Sequence, residues 1–370
     1  MKKALFPMLA AALMLSGCGF SDIKEAISEK VDEKIEAHSI EKSSYTQEQV
    51  NEKIYKELAE CKRKIVFDGV VSTEMVQNAV YGARYDRPDV FWTGGFTVST
   101  DYSTTTLECD SIHDLDEKTL AEMKADMDRS LDKVVKEASE GAADFDKLLL
   151  LHDKLIEICD YDYDAAKATD SENIGFAGSS YGCLVEHKAV CEGYAQAFSL
   201  AAQKMGFECG MVCGMARNEK HAWNYVKIDG EYYWLDVTWD ENATESEFAY
   251  VPMHKYFMLD DSRLMKDRTV EEDVPFVPVC SSMDENYYVK SGLYLESYSF
   301  DQVNSLLNEH YEDGGLDIMF ANMDSYDEAV EDLMKNGSIW NTDVMKNNVD
   351  KKPGYFPDED KFGILTISIE

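Results

Sequence analysis

Apolar residues along this chain recur at two spacings, and the switches between them mark out its elements. Val50, Ile54, Leu58 and Cys61 fall three or four apart, which predicts a helix with one buried stripe. Lys64 to Phe67 reads as a short strand. Thr73 to Arg84 reads as a helix with Ser72 at its start, where a hydroxyl can accept from a free N–H. Phe96 to Asp110 alternates in a β pattern around a Ser-Thr turn. Two long helices follow, Glu117 to Ser139 and Asp144 to Cys159. The second carries Phe145, Leu148, Leu149, His152, Ile156 and Cys159 on one face, so His152 is expected as a core histidine.

The middle of the chain changes character. Tyr194, Phe198, Ala201 and Met205 keep helical spacing, and the helix they predict begins at or just before Cys191. Phe207 to Met215 alternates like a strand. His221 to Ile228 and Glu231 to Trp239 are two more strands, separated by Asp229-Gly230, a strong hairpin signal. A two-residue loop pairs Ile228 with Glu231. Counting back places His221 opposite Thr238 and Trp223 opposite Asp236. His221 and Asp236 are then diagonal neighbours on one face, about 7–8 Å apart at the backbone.

Beyond this, Val251 to Pro278 holds three of the seven prolines and reads as a boundary. The remainder alternates short segments (Tyr287 to Leu295, Phe300 to Leu307, Leu316 to Phe320, Tyr326 to Lys335, Gly363 to Ile369), a small α/β unit.

The N-terminus reads as an address. Lys2 and Lys3 precede the apolar run Ala4 to Leu15, and then comes Leu15-Ser16-Gly17-Cys18. That order describes a secretory signal, and its ending resembles the lipobox of bacterial lipoproteins. The resemblance implies cleavage before Cys18, a lipid on its sulfur, and a location at the membrane facing away from the cytoplasm. Residues 21–42 place Ile23, Ile27, Val31 and Ile35 four apart among Glu and Lys, a thin stripe that suits a helical tether.

Charge narrows the partners. The chain has 36 basic and 72 acidic residues, a net charge of −36, and loss of Lys2 and Lys3 with the leader takes it to −38. So acidic a surface repels phosphate backbones, which argues against nucleic acid. A monomer is expected.

Three groups invite a chemical reading. Asp160, Asp162 and Asp164 alternate as at the opening of a calcium loop, but Ala165 stands where glycine is needed and Ser171 where the closing Glu belongs. Calcium there is the one cofactor reading the residues leave open. Cys183, His187, Cys209 and Cys213 match no common zinc spacing, and the cysteines other than Cys18 and Cys191 suit plain buried thiols.

Cys191 is different, because a thiol at a helix start meets unpaired N–H groups and the positive end of the dipole. With His221 as base and Asp236 orienting it, the three form a nucleophilic triad in the order Cys, His, Asp. His187, four residues before Cys191, is the rival base and lacks a placed acidic partner. Tyr181 is the candidate second oxyanion donor. Trp223, with Trp234 and Trp239, either lines the cleft or fills the sheet core.

Ala189-Val190-Cys191-Glu192-Gly193-Tyr194-Ala195, then His221-Ala222-Trp223-Asn224, then Trp234-Leu235-Asp236-Val237-Thr238-Trp239-Asp240 resemble the transglutaminase-like superfamily. The likeness runs from about Asp144 to Thr269, and Tyr85 to Trp92 resembles the upstream region of bacterial members. It implies a papain-like α+β fold, a Cys-bearing helix on an antiparallel sheet carrying His and Asp. It also implies acyl transfer through a thioester, with a peptide or protein as substrate. Hydrolysis is favoured over transfer to an amine, and a non-catalytic binding or scaffold protein is the alternative. The expected organisation is a leader at 1–17, a tether at 18–44, an α/β region at 45–143, the catalytic domain at 144–275 and a C-terminal unit at 276–370.

Overall fold

The computed structural model describes residues 9–14, 45–101, 103–168, 171–241, 254–272, 274–310 and 314–369. Cys18 and the tether lie outside the described residues. The chain divides into two compact units, one of residues 1–225 and 268–278, the other of 226–267 and 279–370.

The first unit opens on a sheet and two helices. Strands β1 (Leu9–Met14), β2 (Lys64–Asp68), β3 (Thr93–Thr100) and β4 (Thr104–Ser111) run antiparallel in the order β1-β3-β4-β2. Helix α1 (Gln47–Ala59) buries the expected Val50, Ile54 and Leu58. Helix α2 (Thr73–Asp86) starts where the sequence places it, Ser72 Oγ accepting from Met75 N at 3.3 Å.

Helices α3 (Glu117–Ala138) and α4 (Asp144–Ile158) pack on each other and on α5 (Cys191–Lys204). The buried stripe of α4 keeps the predicted Phe145, Leu148 and His152, with Cys159 buried just past the helix end, and adds Leu151 and Leu155. Leu149 and Ile156 are only half-buried, because the run of four leucines lets the helix turn Leu151 inward instead. His152 is buried as expected, its Nδ1 3.0 Å from Asp153 Oδ1. A two-residue parallel pair, β5 (Asp160–Tyr161) with β6 (Lys188–Ala189), leads into α5.

Helix α5 lies against β7 (Cys209–Ala216). Strand β7 turns through Arg217 and Asn218, both at positive φ, into β8 (Glu219–Ile228), and β10 (Arg268–Val270) pairs antiparallel with β7's other edge. A Cys-bearing helix on antiparallel strands is the α+β core that the family resemblance implies.

The second unit begins within β8. Val226–Ile228 turns through Asp229 (φ 50°) and Gly230 (φ 92°) into β9 (Glu231–Leu235). Positive φ at both central residues is the tight hairpin turn that Asp-Gly favours.

The return strand is shorter than the sequence predicts. It ends at Leu235, and Val237–Glu241 forms a short helix, α6. The ladder that would set Thr238 opposite His221 therefore does not extend that far. The reason is local: Asp236 accepts from Trp239 N at 3.2 Å and starts a helical turn.

The rest of this unit is a four-stranded sheet, β11 (Tyr294–Leu295), β12 (Gly315–Phe320), β13 (Pro353–Phe356) and β14 (Ile364–Ile369), ordered β11-β12-β14-β13. Helices α7 (Phe300–His310) and α8 (Met323–Ala329) alternate with it. Strands β12 and β14 are buried along their whole length.

Candidate active site

Cys191 is the first residue of α5. Val190 before it is extended (φ −94°, ψ 177°) and supplies no side-chain cap to the first turn. That turn is seated against a loop: Val190 N donates to Ala177 O at 2.9 Å. Two residues on, a Cβ on Gly193 would collide with the carbonyl oxygen of Ala177 and stand 2.9 Å from that of Ser179. Glycine here lets the helix start lie flat on the loop.

The eight described cysteines are all free, and Cys191 alone among them is not buried. Burial pushes the Cys109 and Cys209 thiols up to about 12. Burial, reinforced by a hydrogen bond with Cys159, raises the Cys183 thiol as well.

His221 lies near the start of β8 and is buried. Its ring stacks on Trp223, centroids 6.1 Å apart and planes within 18°. The Arg268 guanidinium of β10 sits 5.1 Å from the Trp223 ring. Three residues past His221, the buried Asn224 amide donates to Ala195 O (2.8 Å), Ser199 Oγ (2.8 Å) and Gly210 O (3.1 Å), tying β8 to α5 and β7.

Asp236 belongs to the second unit and is 1% exposed. Besides receiving Trp239 N, it donates its own N–H to Tyr256 O at 3.1 Å, and its carbonyl accepts from Asp240 N. Its backbone and one carboxylate oxygen are therefore held rigidly within that unit.

The remaining candidates divide between core and surface. The Tyr181 ring stacks on Phe91 (5.0 Å, 20°) and touches Phe176, and burial raises its phenol. Trp223 is a core indole. Trp234, in the second unit, is buried too and donates Nε1 to Asp261 Oδ1 at 2.7 Å. The rival base His187 is exposed and left-handed (φ 58°), closing a turn of π-helix from Gly182 to Glu186. In the acidic run, Asp162 spends its Oδ1 on the N–H groups of Asp164 and Ala165, at 3.1 and 2.9 Å.

One partner of α5's first turn was hidden from the sequence. Arg84, in the last turn of α2, binds Glu192 through two parallel bonds, Nε–Oε1 at 2.7 Å and Nη2–Oε2 at 2.8 Å. The pair is 108 residues apart and no periodicity links it.

Residues 132–238, a segment containing Cys191, His221 and Asp236, match the Transglutaminase-like superfamily. Kyphoscoliosis peptidase of Mus musculus is 24% identical over 143 residues, which make up 35% of this chain and 21% of that protein. Kyphoscoliosis peptidase of Homo sapiens is 26% identical over 128 residues, 30% of this chain and 19% of that protein. The chain thus spans about a fifth of the length of these relatives. A solved crystal structure of a TGase aligns with a TM-score of 0.30 at 16% identity, over 47% of this chain and 50% of that one.

Proposed function

We propose that this chain is a cysteine enzyme acting on amide bonds of peptides or proteins through a thioester at Cys191, with hydrolysis as its usual outcome. The observation that carries the reading is that the accessible thiol among the described cysteines stands at the first position of a helix. Such a position favours the thiolate and offers main-chain N–H groups to a developing oxyanion.

The roles follow from that thiol. Cys191 Sγ attacks the amide carbonyl carbon, the C–N bond breaks, and the amine leaves with a proton supplied by His221. Water, deprotonated by His221, then attacks the thioester, releases the acid and restores the thiol. Asp236 orients the imidazole and stabilises its cationic form. Kyphoscoliosis peptidase is a peptidase by name, which inclines the choice of acceptor toward water. We also assign the protein to the outer side of a membrane, held by lipid on Cys18. Cleavage before Cys18 would remove β1 from the edge of β3.

Purified wild type and Cys191→Ala are compared on a panel of peptide amides, with and without a primary amine. Free acid released by the wild type alone supports hydrolysis, and a new amide product formed only with amine present makes it a transferase. Equal inertness of the two proteins sinks the enzyme reading in favour of a scaffold. Mass spectrometry of the mature N-terminus tests the anchor, and a chain that begins at Met1 removes it.

A further inference from the structure

Glu192 is an awkward neighbour for a nucleophilic thiol. It follows Cys191 directly, in the turn whose positive dipole end is meant to stabilise a thiolate. A carboxylate there opposes the formation of a second negative charge beside it. The same carboxylate is engaged by Arg84 in a two-bond fork, with both side chains about one-fifth exposed (22% and 23%). Gln196, one turn further along α5, adds a longer contact to Glu192 Oε1 at 3.3 Å.

A paired fork does two things that a lone charge does not. It cancels most of the carboxylate's field at short range, and its planar geometry fixes where the first turn of α5 lies. Its site on the protein fits this work, since Arg84 is carried by the last turn of α2, a separate helix of the same unit.

We propose that Arg84 is a positioning residue for the Cys191 nucleophile, acting through Glu192: it neutralises and anchors the one acidic side chain in the helix turn that must support the thiolate. This rests on the reading of Cys191 as nucleophile and deepens it.

The rate of Cys191 alkylation by iodoacetamide at neutral pH, followed by peptide mapping, reads the thiolate directly and needs no substrate. Arg84→Gln should slow it by about tenfold, because the carboxylate left unpaired beside the thiol opposes a second negative charge. Arg84→Lys should recover part of the rate, since it returns the charge without the fork. The double variant Arg84→Gln with Glu192→Gln should return to within about threefold of wild type, because the charge that needed neutralising is gone. Loss of mere structural support predicts the reverse, a double variant slower than Arg84→Gln.

An Arg84→Gln rate equal to wild type, or a double variant that worsens it, overturns this proposal while leaving Cys191 as nucleophile. Wild-type Cys191 reacting no faster than in the urea-unfolded chain overturns the nucleophile reading and this proposal with it. Thermal melts of each variant distinguish a slowed folded protein from a partly unfolded one, in which the buried thiols would also become labelled.

Discussion

The side-chain amide of Asn224 on β8 donates to the main-chain carbonyl of Ala195 on α5 at 2.8 Å. Because the same nitrogen also reaches Ser199 Oγ and Gly210 O, one buried group ties together α5, β7 and the strand that carries His221. Ala195 stands about 6 Å up the helix axis from Cys191, at roughly 1.5 Å per residue. The tie therefore sits one turn from the proposed nucleophile and fixes how the helix lies on the sheet.

Asn224→Ala should cost about 1–3 kcal/mol, the usual penalty for leaving buried acceptors without a donor. Asn224→Asp should cost more, since a carboxylate would then face carbonyl oxygens where an amide donated. Urea unfolding midpoints decide it. Midpoints that match wild type in both variants would mean the tie contributes nothing.

Two glycines near α5 make a contrast. Gly193→Ala drives a Cβ into main-chain oxygens of Ala177 and Ser179, atoms that cannot rotate away. It should destabilise the protein by about 1–3 kcal/mol or more, as overpacking does. Gly206, just past the end of the helix, has φ +95° with open space around its Cβ position. Gly206→Ala meets only backbone strain, about 1–2 kcal/mol, and should leave the rate of Cys191 alkylation unchanged. Gly193→Ala should alter that rate as well, because it lifts the helix start. A Gly206→Ala variant that changes the rate as much as Gly193→Ala would refute the assignment.

The start of α5 at Cys191 was legible because its apolar residues keep helical spacing from Tyr194 onward. The hairpin at Asp229-Gly230 was legible because few other residue pairs accept positive φ twice. Both signals are local. What the sequence concealed was decided by choices between near-equal local states or by distant partners. Val237, Thr238 and Trp239 have strand-favouring side chains, yet one cap from Asp236 carries them into a helix. Leu149 and Leu151 are chemically equivalent, and only packing against the neighbouring helices selects Leu151 for the core. Arg84 and Glu192 each read as an ordinary surface charge until the fold brings them together.

Alkaline pH should weaken the fold through its buried thiols. Cys109 and Cys209 are raised to about 12, chiefly by burial, whereas a thiol in the unfolded chain titrates near ~8.5. Their contribution is complete below that lower value. As pH rises the unfolded chain loses these protons first, and the contribution disappears as pH climbs through the folded values. Between the two limits each thiol removes about 1.4 kcal/mol per pH unit. Denaturation midpoints should therefore fall from pH 9 to pH 11, and less steeply for Cys209→Ala. Parallel slopes for the variant and wild type would contradict this origin. Below pH 9, iodoacetamide on the folded protein should label Cys191 ahead of the other described cysteines, since it alone is not buried.

Asp236 holds two jobs that substitution can separate. Its Oδ1 accepts from Trp239 N, which starts α6, and its proposed catalytic task is to orient and stabilise His221 as an imidazolium. Asparagine keeps an oxygen for the cap, so Asp236→Asn should change stability by less than about 1 kcal/mol. It removes the negative charge, however, and its amide can hold the imidazole in the wrong tautomer. Activity on a peptide amide should fall by about 10²–10⁴-fold with KM little changed, because the lost interaction belongs to the transition state. Asp236→Ala loses cap and charge together. Its activity should be as low, with an added stability loss of about 0.5–2 kcal/mol for the missing cap. The pattern to look for is thus equal damage to turnover from both variants and unequal damage to melting. An Asp236→Asn enzyme with wild-type kcat would leave Asp236 as a helix cap alone, and the base would then have to work without a carboxylate behind it.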